Sequence, residues 1–126
     1  MSLTATENLN QTKPMVNNNN PLAEYISPNE VIDKHKMLIG DHFFDKEAMA
    51  FFKSRVERGY YIAQTKQCFF VTSEKSPTGN VGYTVRAFDG RNKGKGVETL
   101  TPFNELTEKA ALIKLQDYIK QACVGL

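Results

Sequence analysis

The sequence has few of the residues from which metal sites and cysteine active sites are built. It contains two cysteines, two histidines and no tryptophan among 126 residues. Cys68 and Cys123 each lie in an apolar stretch, so we interpret them as buried free thiols in a reducing compartment. His35 falls on the apolar side of a predicted helix, where a packed histidine is more common than a metal ligand.

Other absences exclude further classes of protein. No run of 18 or more apolar residues is present, so we predict no transmembrane helix and no membrane partner. The first residues have neither a basic start nor an apolar core, so we predict no secretory signal and a cytoplasmic protein. The sequence lacks paired carboxylates, a Ser-His-Asp set and the GxxxxGK[ST] motif of a P-loop.

These absences predict a protein that is not an enzyme, with no catalytic residue, cofactor or metal. Asp41, His42 and Asp45 are close enough in sequence to share a metal. However, they lie at a predicted helix start, where capping explains Asp45 better.

The predicted fold centres on a β-hairpin with strands at about residues 67–73 and 82–88. Both strands are rich in β-branched and aromatic residues, and the second alternates between two unlike sides. Residues 76–80, Ser-Pro-Thr-Gly-Asn, supply the turn, because proline suits an early turn position and glycine or asparagine a later one.

The remaining segments are predicted to cover this hairpin. Ser27-Pro28-Asn29-Glu30 has the spacing of a capping box and predicts a helix over residues 28–39. A second helix is expected from Asp45 to Gly59, and a last one from Asn104 or Thr107. Residues 60–64 and 97–101 are predicted as additional strands.

The predicted class is therefore α+β, with the element order α-α-β-β-β-(β)-α. A three- to four-stranded antiparallel sheet is covered by helices. Residues 1–26 are predicted as a flexible arm, 27–40 as an amphipathic helix and 41–126 as a compact domain. An exposed strand at 97–101 would offer an edge through which a homodimer forms.

The net charge of +2 is unevenly distributed. Residues 46–95 hold ten Lys or Arg against four Asp or Glu, an excess of six positive charges. Within them, the glycine-rich loop 90–96 suits phosphate contact, because glycine lets backbone amides approach an anion. The candidate binding residues are Arg91, Lys93, Lys95, Arg86, Lys53 and Arg58.

Each functional interpretation of these residues has a structural alternative. The loop is also typical of a solvated connection between strands. A second set, Tyr60, Tyr61, Phe69, Phe88 and Arg86, would stack nucleic-acid bases if exposed, or form core if buried. The order α-β-β-β-α also occurs in double-stranded-RNA-binding domains, but Glu105 and Glu108 occupy the place where those domains put lysines.

Several short motifs resemble a known family. They are Phe43-Phe44-Asp45, Met49 with Phe51-Phe52 and Ser54-Arg55, Phe70-Val71-Thr72-Ser73-Glu74, and Tyr83-Thr84-Val85-Arg86. Over about residues 42–111 the chain is similar to a family of small uncharacterised proteins of bacteriophages and bacterial mobile elements. The resemblance implies a phage or mobile-element setting, and it brings no functional residue because the family has no assigned activity.

Two functional hypotheses follow. The leading one is a non-enzymatic binding protein that blocks or modulates a host protein or ribonucleoprotein complex, as anti-defence proteins such as anti-CRISPRs do. The alternative is a nucleic-acid-binding accessory protein that uses the basic segment 46–95.

The predicted arm is testable by truncation. Because residues 1–20 hold few large apolar groups, deleting them should leave the melting temperature nearly unchanged. A thermal melt of the truncated and full chains measures this, and a fall of several degrees would contradict the prediction.

Overall fold

A computed structural model describes residues 21–40, 55–102 and 104–126. Its five strands form one antiparallel sheet in the order β1-β2-β3-β4-β5. The elements are β1 (Ala23–Ile26), α1 (Pro28–Leu38), β2 (Val56–Ile62), β3 (Gln67–Lys75), β4 (Val81–Asp89), β5 (Glu98–Thr99) and α2 (Glu108–Cys123). The α+β class is confirmed, whereas the strand count and the element order differ from the prediction.

Helix α1 begins at the predicted capping box. The Ser27 hydroxyl accepts a hydrogen bond from the Glu30 backbone amide (3.2 Å), and the Glu30 carboxylate accepts one from the Ser27 amide (2.8 Å). These bonds satisfy amides that a helix start leaves without partners. Helix α2 begins in a similar way, because the Thr107 hydroxyl accepts from the Ala110 amide at 3.1 Å.

Strand β1 lies within the predicted flexible arm, and that part of the prediction is wrong. Its four residues pair antiparallel with β2, with Tyr25 opposite Tyr60. The two rings meet edge to face, their centroids 5.6 Å apart. A strand this short has little alternation to detect, and its stability comes from β2 rather than from local preference. The prediction of a flexible arm over residues 1–20 concerns positions outside the described residues.

The predicted second helix also ends too late. Val56 through Gly59 belong to β2 rather than to that helix, Arg55 is helical, and residues 45–54 lie outside the described residues. Arg58 pairs with Val71 and Gly59 with Phe70 on β3. This cross-strand pairing overrides the helical spacing of the apolar residues.

The sheet is buried on both faces, each under one described helix. On one face, α2 packs against alternate residues of the central strands, and this cluster comprises Ala23, Tyr60, Ile62, Phe69, Val71, Val85, Ala87, Ala111, Leu115, Ile119 and Cys123. On the other face, α1 contributes to a cluster comprising Ile26, Val31, Ile32, Ile39, Val56, Cys68, Phe70 and Phe88. The two cysteines are buried, as predicted, and lie in different clusters with no disulfide between them.

His35 is fully buried on α1 and meets Phe88 edge to face at 5.4 Å between ring centroids. This position confirms that the histidine packs in the core.

The outer edge of β4 is covered by the segment that follows it. Thr99 pairs with Arg86, the Leu100 amide donates to the Val85 carbonyl (2.8 Å), and Tyr83 and Leu106 exchange two backbone bonds. The predicted strand 97–101 is thus reduced to the two residues of β5. A homodimer through this edge stays a prediction.

Gly59 provides a test of the contact between α1 and the sheet. A Cβ atom added there would overlap Val31 Cγ2 and would lie 3.3 Å from Phe70 Cβ. Gly59→Ala should therefore lower the free energy of unfolding by about 1–3 kcal/mol, measured by urea denaturation. Gly94→Ala is the matched control, because no atom lies within 4 Å of its added Cβ. Equal stability of the two variants would contradict this packing.

Candidate functional site

Two turns from different hairpins meet at one end of the sheet. The β2–β3 turn spans residues 63–66, and the β4–β5 connection spans 90–97. The Gly90 amide donates to the Lys66 carbonyl at 2.8 Å, and a Cβ on Gly90 would lie 3.2 Å from Lys66 Cβ. Lys66 therefore joins the loop cations at one end of the sheet. We call Lys66, Arg91, Lys93 and Lys95, all exposed, the basic end.

Lys66 was not among the predicted binding residues. Its backbone has a φ of 55°, in the left-handed region that glycine and asparagine occupy more easily than lysine. No sequence signal identifies Lys66 as part of this surface, because a sequence does not give the backbone conformation and Lys66 lies 24 positions before Gly90, its contact in the loop.

The loop of the basic end has its own hydrogen bonds. The Asp89 carboxylate accepts from the Arg91 amide at 2.8 Å, and the Asp89 carbonyl accepts from the Asn92 amide at 2.9 Å. A 3₁₀ turn follows at Lys93–Lys95, closed by the Gly96 amide on the Lys93 carbonyl at 3.0 Å. These bonds give the loop that carries the three cations a defined backbone conformation.

Two carboxylates lie beside these cations. Arg91 Nε is 3.4 Å from Asp89 Oδ1, and Lys95 Nζ is 3.8 Å from Glu98 Oε2. The Arg91 and Lys95 side chains stay more than half exposed, and exposed pairs of this kind contribute at most about 1 kcal/mol. Four cations against two carboxylates leave the basic end with a positive excess, and a stronger anion would compete for the paired cations.

Arg86 has a different environment. Its Nε donates to Thr72 Oγ1 at 2.9 Å and its Nη1 to Thr99 Oγ1 at 2.8 Å, so it connects β3, β4 and β5. Burial lowers the pKa of the Arg86 guanidinium, and the nearby Glu74 charge opposes that change. Arg86 thus holds strands together rather than extending the basic end. The register places Glu74 opposite Gly82 and Arg86 opposite Phe70, so Glu74 and Arg86 are not direct cross-strand partners.

The six predicted binding residues do not share one surface. Arg91, Lys93 and Lys95 lie together in the loop. Arg58 pairs with Val71 on the α2 face, whereas Arg86 pairs with Phe70 on the α1 face. Lys53 lies outside the described residues.

The aromatic residues of the sheet lie mainly in the hydrophobic core. Tyr60, Phe69 and Phe88 are 4%, 6% and 1% exposed, which favours the packing interpretation over base stacking. Tyr61 is half-buried, and Lys34 Nζ lies 4.3 Å from its ring centroid, a cation–π contact.

The side chains that could act as nucleophiles, the Cys68 thiol and the Ser73 hydroxyl, are buried or hydrogen-bonded. Burial raises the pKa of the Cys68 thiol, which disfavours the reactive thiolate. Ser73 Oγ donates to Glu57 Oε2 at 2.6 Å. Within residues 21–40, 55–102 and 104–126, no three His, Cys, Asp or Glu side chains are grouped to hold a metal. Asp41, His42 and Asp45 lie outside these ranges.

Comparison with known proteins finds a family match. The profile of a family of unknown function (DUF7447) matches residues 29–114, more than half of the chain. No curated protein and no solved structure matches. Neither helix in the described part of the chain has the length and apolar character needed to cross a membrane.

The structural role of Arg86 is testable by substitution. Arg86→Ala leaves the Thr72 and Thr99 hydroxyls without this donor, so we expect the free energy of unfolding to fall by about 1–3 kcal/mol. Arg91→Ala should change it by no more than about 1 kcal/mol, because its ion pair is exposed. Urea denaturation measures both, and an equal effect of the two substitutions would contradict the assigned role.

Proposed function

Because the chain belongs to a family of unknown function (DUF7447), membership assigns no activity, and we propose a function from the geometry. The protein is a non-enzymatic binding protein that blocks or modulates a host macromolecular complex that handles nucleic acid. It acts in the host cytoplasm, and it comes from a phage or mobile element, as do the proteins that its motifs resemble.

The basic end is the observation that carries this proposal. Four exposed cations from two separate turns are brought together by the bond between Gly90 and Lys66. A cluster of one sign of charge raises the rate of encounter with an oppositely charged surface. Complexes that handle nucleic acid present such surfaces, either as the nucleic acid itself or as acidic side chains.

The roles of the polar side chains support binding over catalysis. His35 and Cys68 are buried in the α1-side cluster, where a substrate does not reach them. Arg86 connects strands through two threonines. The exposed cations of the basic end attract a partner by charge and do not by themselves form a nucleophile or a general base.

The proposal is tested by affinity capture from host lysate with the full chain. The variant Arg91→Ala/Lys93→Ala/Lys95→Ala should lose a discrete host complex that the unchanged protein retains. Lys109→Ala/Lys114→Ala/Lys120→Ala is the matched control, because it removes the same charge from exposed positions of α2. Equal capture by both triple variants would show that the basic end is not the binding surface.

Nuclease treatment of the lysate separates two modes of capture. A complex retained after nuclease is held by its protein components. Failure of the unchanged protein to capture any discrete complex, or a turnover abolished by one polar substitution, would contradict the proposed function.

A further inference from the structure

The composition of the basic end indicates the chemistry of what it binds. Its loop, residues 89–96, reads Asp-Gly-Arg-Asn-Lys-Gly-Lys-Gly and has no apolar side chain. The exposed large apolar residues of the described chain lie in neither turn; they are Tyr25, Met37, Val81, Ile113, Val124 and Leu126. Protein interfaces draw most of their binding energy from a few buried anchors, typically Trp, Tyr and Arg, and of these types the basic end contains only Arg91.

The basic end has the groups that phosphate-binding surfaces use. Cationic side chains and accessible backbone make most contacts to a nucleic-acid backbone, without apolar anchors. We infer that the basic end binds the phosphate backbone of a nucleic acid, and that Asp89 and Glu98 are internal counter-charges that weaken this contact. The inference rests on the proposed function and names the component of the host complex that this end contacts.

Lys66 supplies the fourth phosphate contact. Its left-handed backbone suits asparagine or glycine better, so lysine carries a conformational cost there. The cation is placed beside the loop through the bond from Gly90. Recognition of phosphates explains a lysine at this position, whereas the turn itself does not require one.

Asp89 and Glu98 limit the strength of the contact. Each carboxylate lies within 4 Å of a loop cation, so an incoming phosphate displaces it from Arg91 or Lys95 and is also repelled by it. Asp89 has a second role, because its carboxylate accepts a hydrogen bond from the Arg91 backbone amide. Asp89→Asn keeps an oxygen acceptor there, and with Glu98→Gln it removes both charges with little change of shape.

The probes are fluorescently labelled mixed-sequence duplex DNA and single-stranded RNA, titrated with the full chain over a salt series. Arg91→Ala/Lys93→Ala/Lys95→Ala should bind about tenfold or more weakly at low salt. The magnitude of its negative slope of log affinity against log salt should fall by up to about 2.7 on duplex DNA, about 0.9 for each lost contact. The α2 control variant should stay within about twofold of the unchanged protein, since its cations lie outside the basic end.

Three further variants test Lys66 and the counter-charges. Lys66→Asn suits the left-handed backbone and should bind several-fold more weakly, whereas Lys66→Arg should bind like the unchanged protein. Asp89→Asn/Glu98→Gln should bind several-fold more tightly at low salt, with a gain that shrinks as salt rises. Thermal melts confirm that each variant is folded. No gain from removing both carboxylates would overturn their assigned role.

Polyglutamate is the competitor that separates phosphate from carboxylate recognition. It should displace the nucleic-acid probes poorly at equal charge concentration, and equally effective displacement would overturn the assignment to phosphate. If the loop variant loses the host complex while the unchanged protein binds neither probe, this inference fails and the proposed function stands. If the probes bind as expected but no discrete complex is captured, the proposed function fails instead.

Discussion

The structure depends on the pairing of β3 with a strand on each side. Its nine residues pair with β4 along their whole length and with β2 over residues 67–72. Residues 68–72 are all buried, because alternate side chains enter the two clusters. A strand buried on both faces requires a cover on each, and α1 and α2 contribute to covering opposite faces of the sheet.

The central strand β3 also determines which residues are excluded from the core. Cysteine, phenylalanine and valine fill both faces of β3, so polar groups near its middle are used to join strands. Arg86 illustrates this, because its guanidinium donates to threonines on two neighbouring strands and thereby offsets the cost of its burial. Arg91, Lys93 and Lys95 lie instead in a turn, where their side chains keep access to solvent.

Antiparallel order brings two of those turns together. The β2–β3 turn and the β4–β5 connection leave the sheet at the same end, since each lies at the same end of a neighbouring pair of strands. The bond between Gly90 and Lys66 joins them, and the four cations of the basic end become neighbours. Positive charge from two parts of the sequence is thus concentrated without any cost to the core.

Features that arise from local chemistry could be predicted from the sequence. The capping box at Ser27, the central hairpin, the last helix and the cationic loop follow from hydrogen-bonding side chains, alternation of apolar residues and turn-forming residues close together in the chain. Contacts between elements instead produce the strand β1, the early start of β2, the role of Arg86 and the place of Lys66 beside the loop. Each of these depends on a partner from another element, such as Tyr60 for β1 or Thr99 for Arg86, and cross-strand pairing outweighs the weak local preference of a few residues.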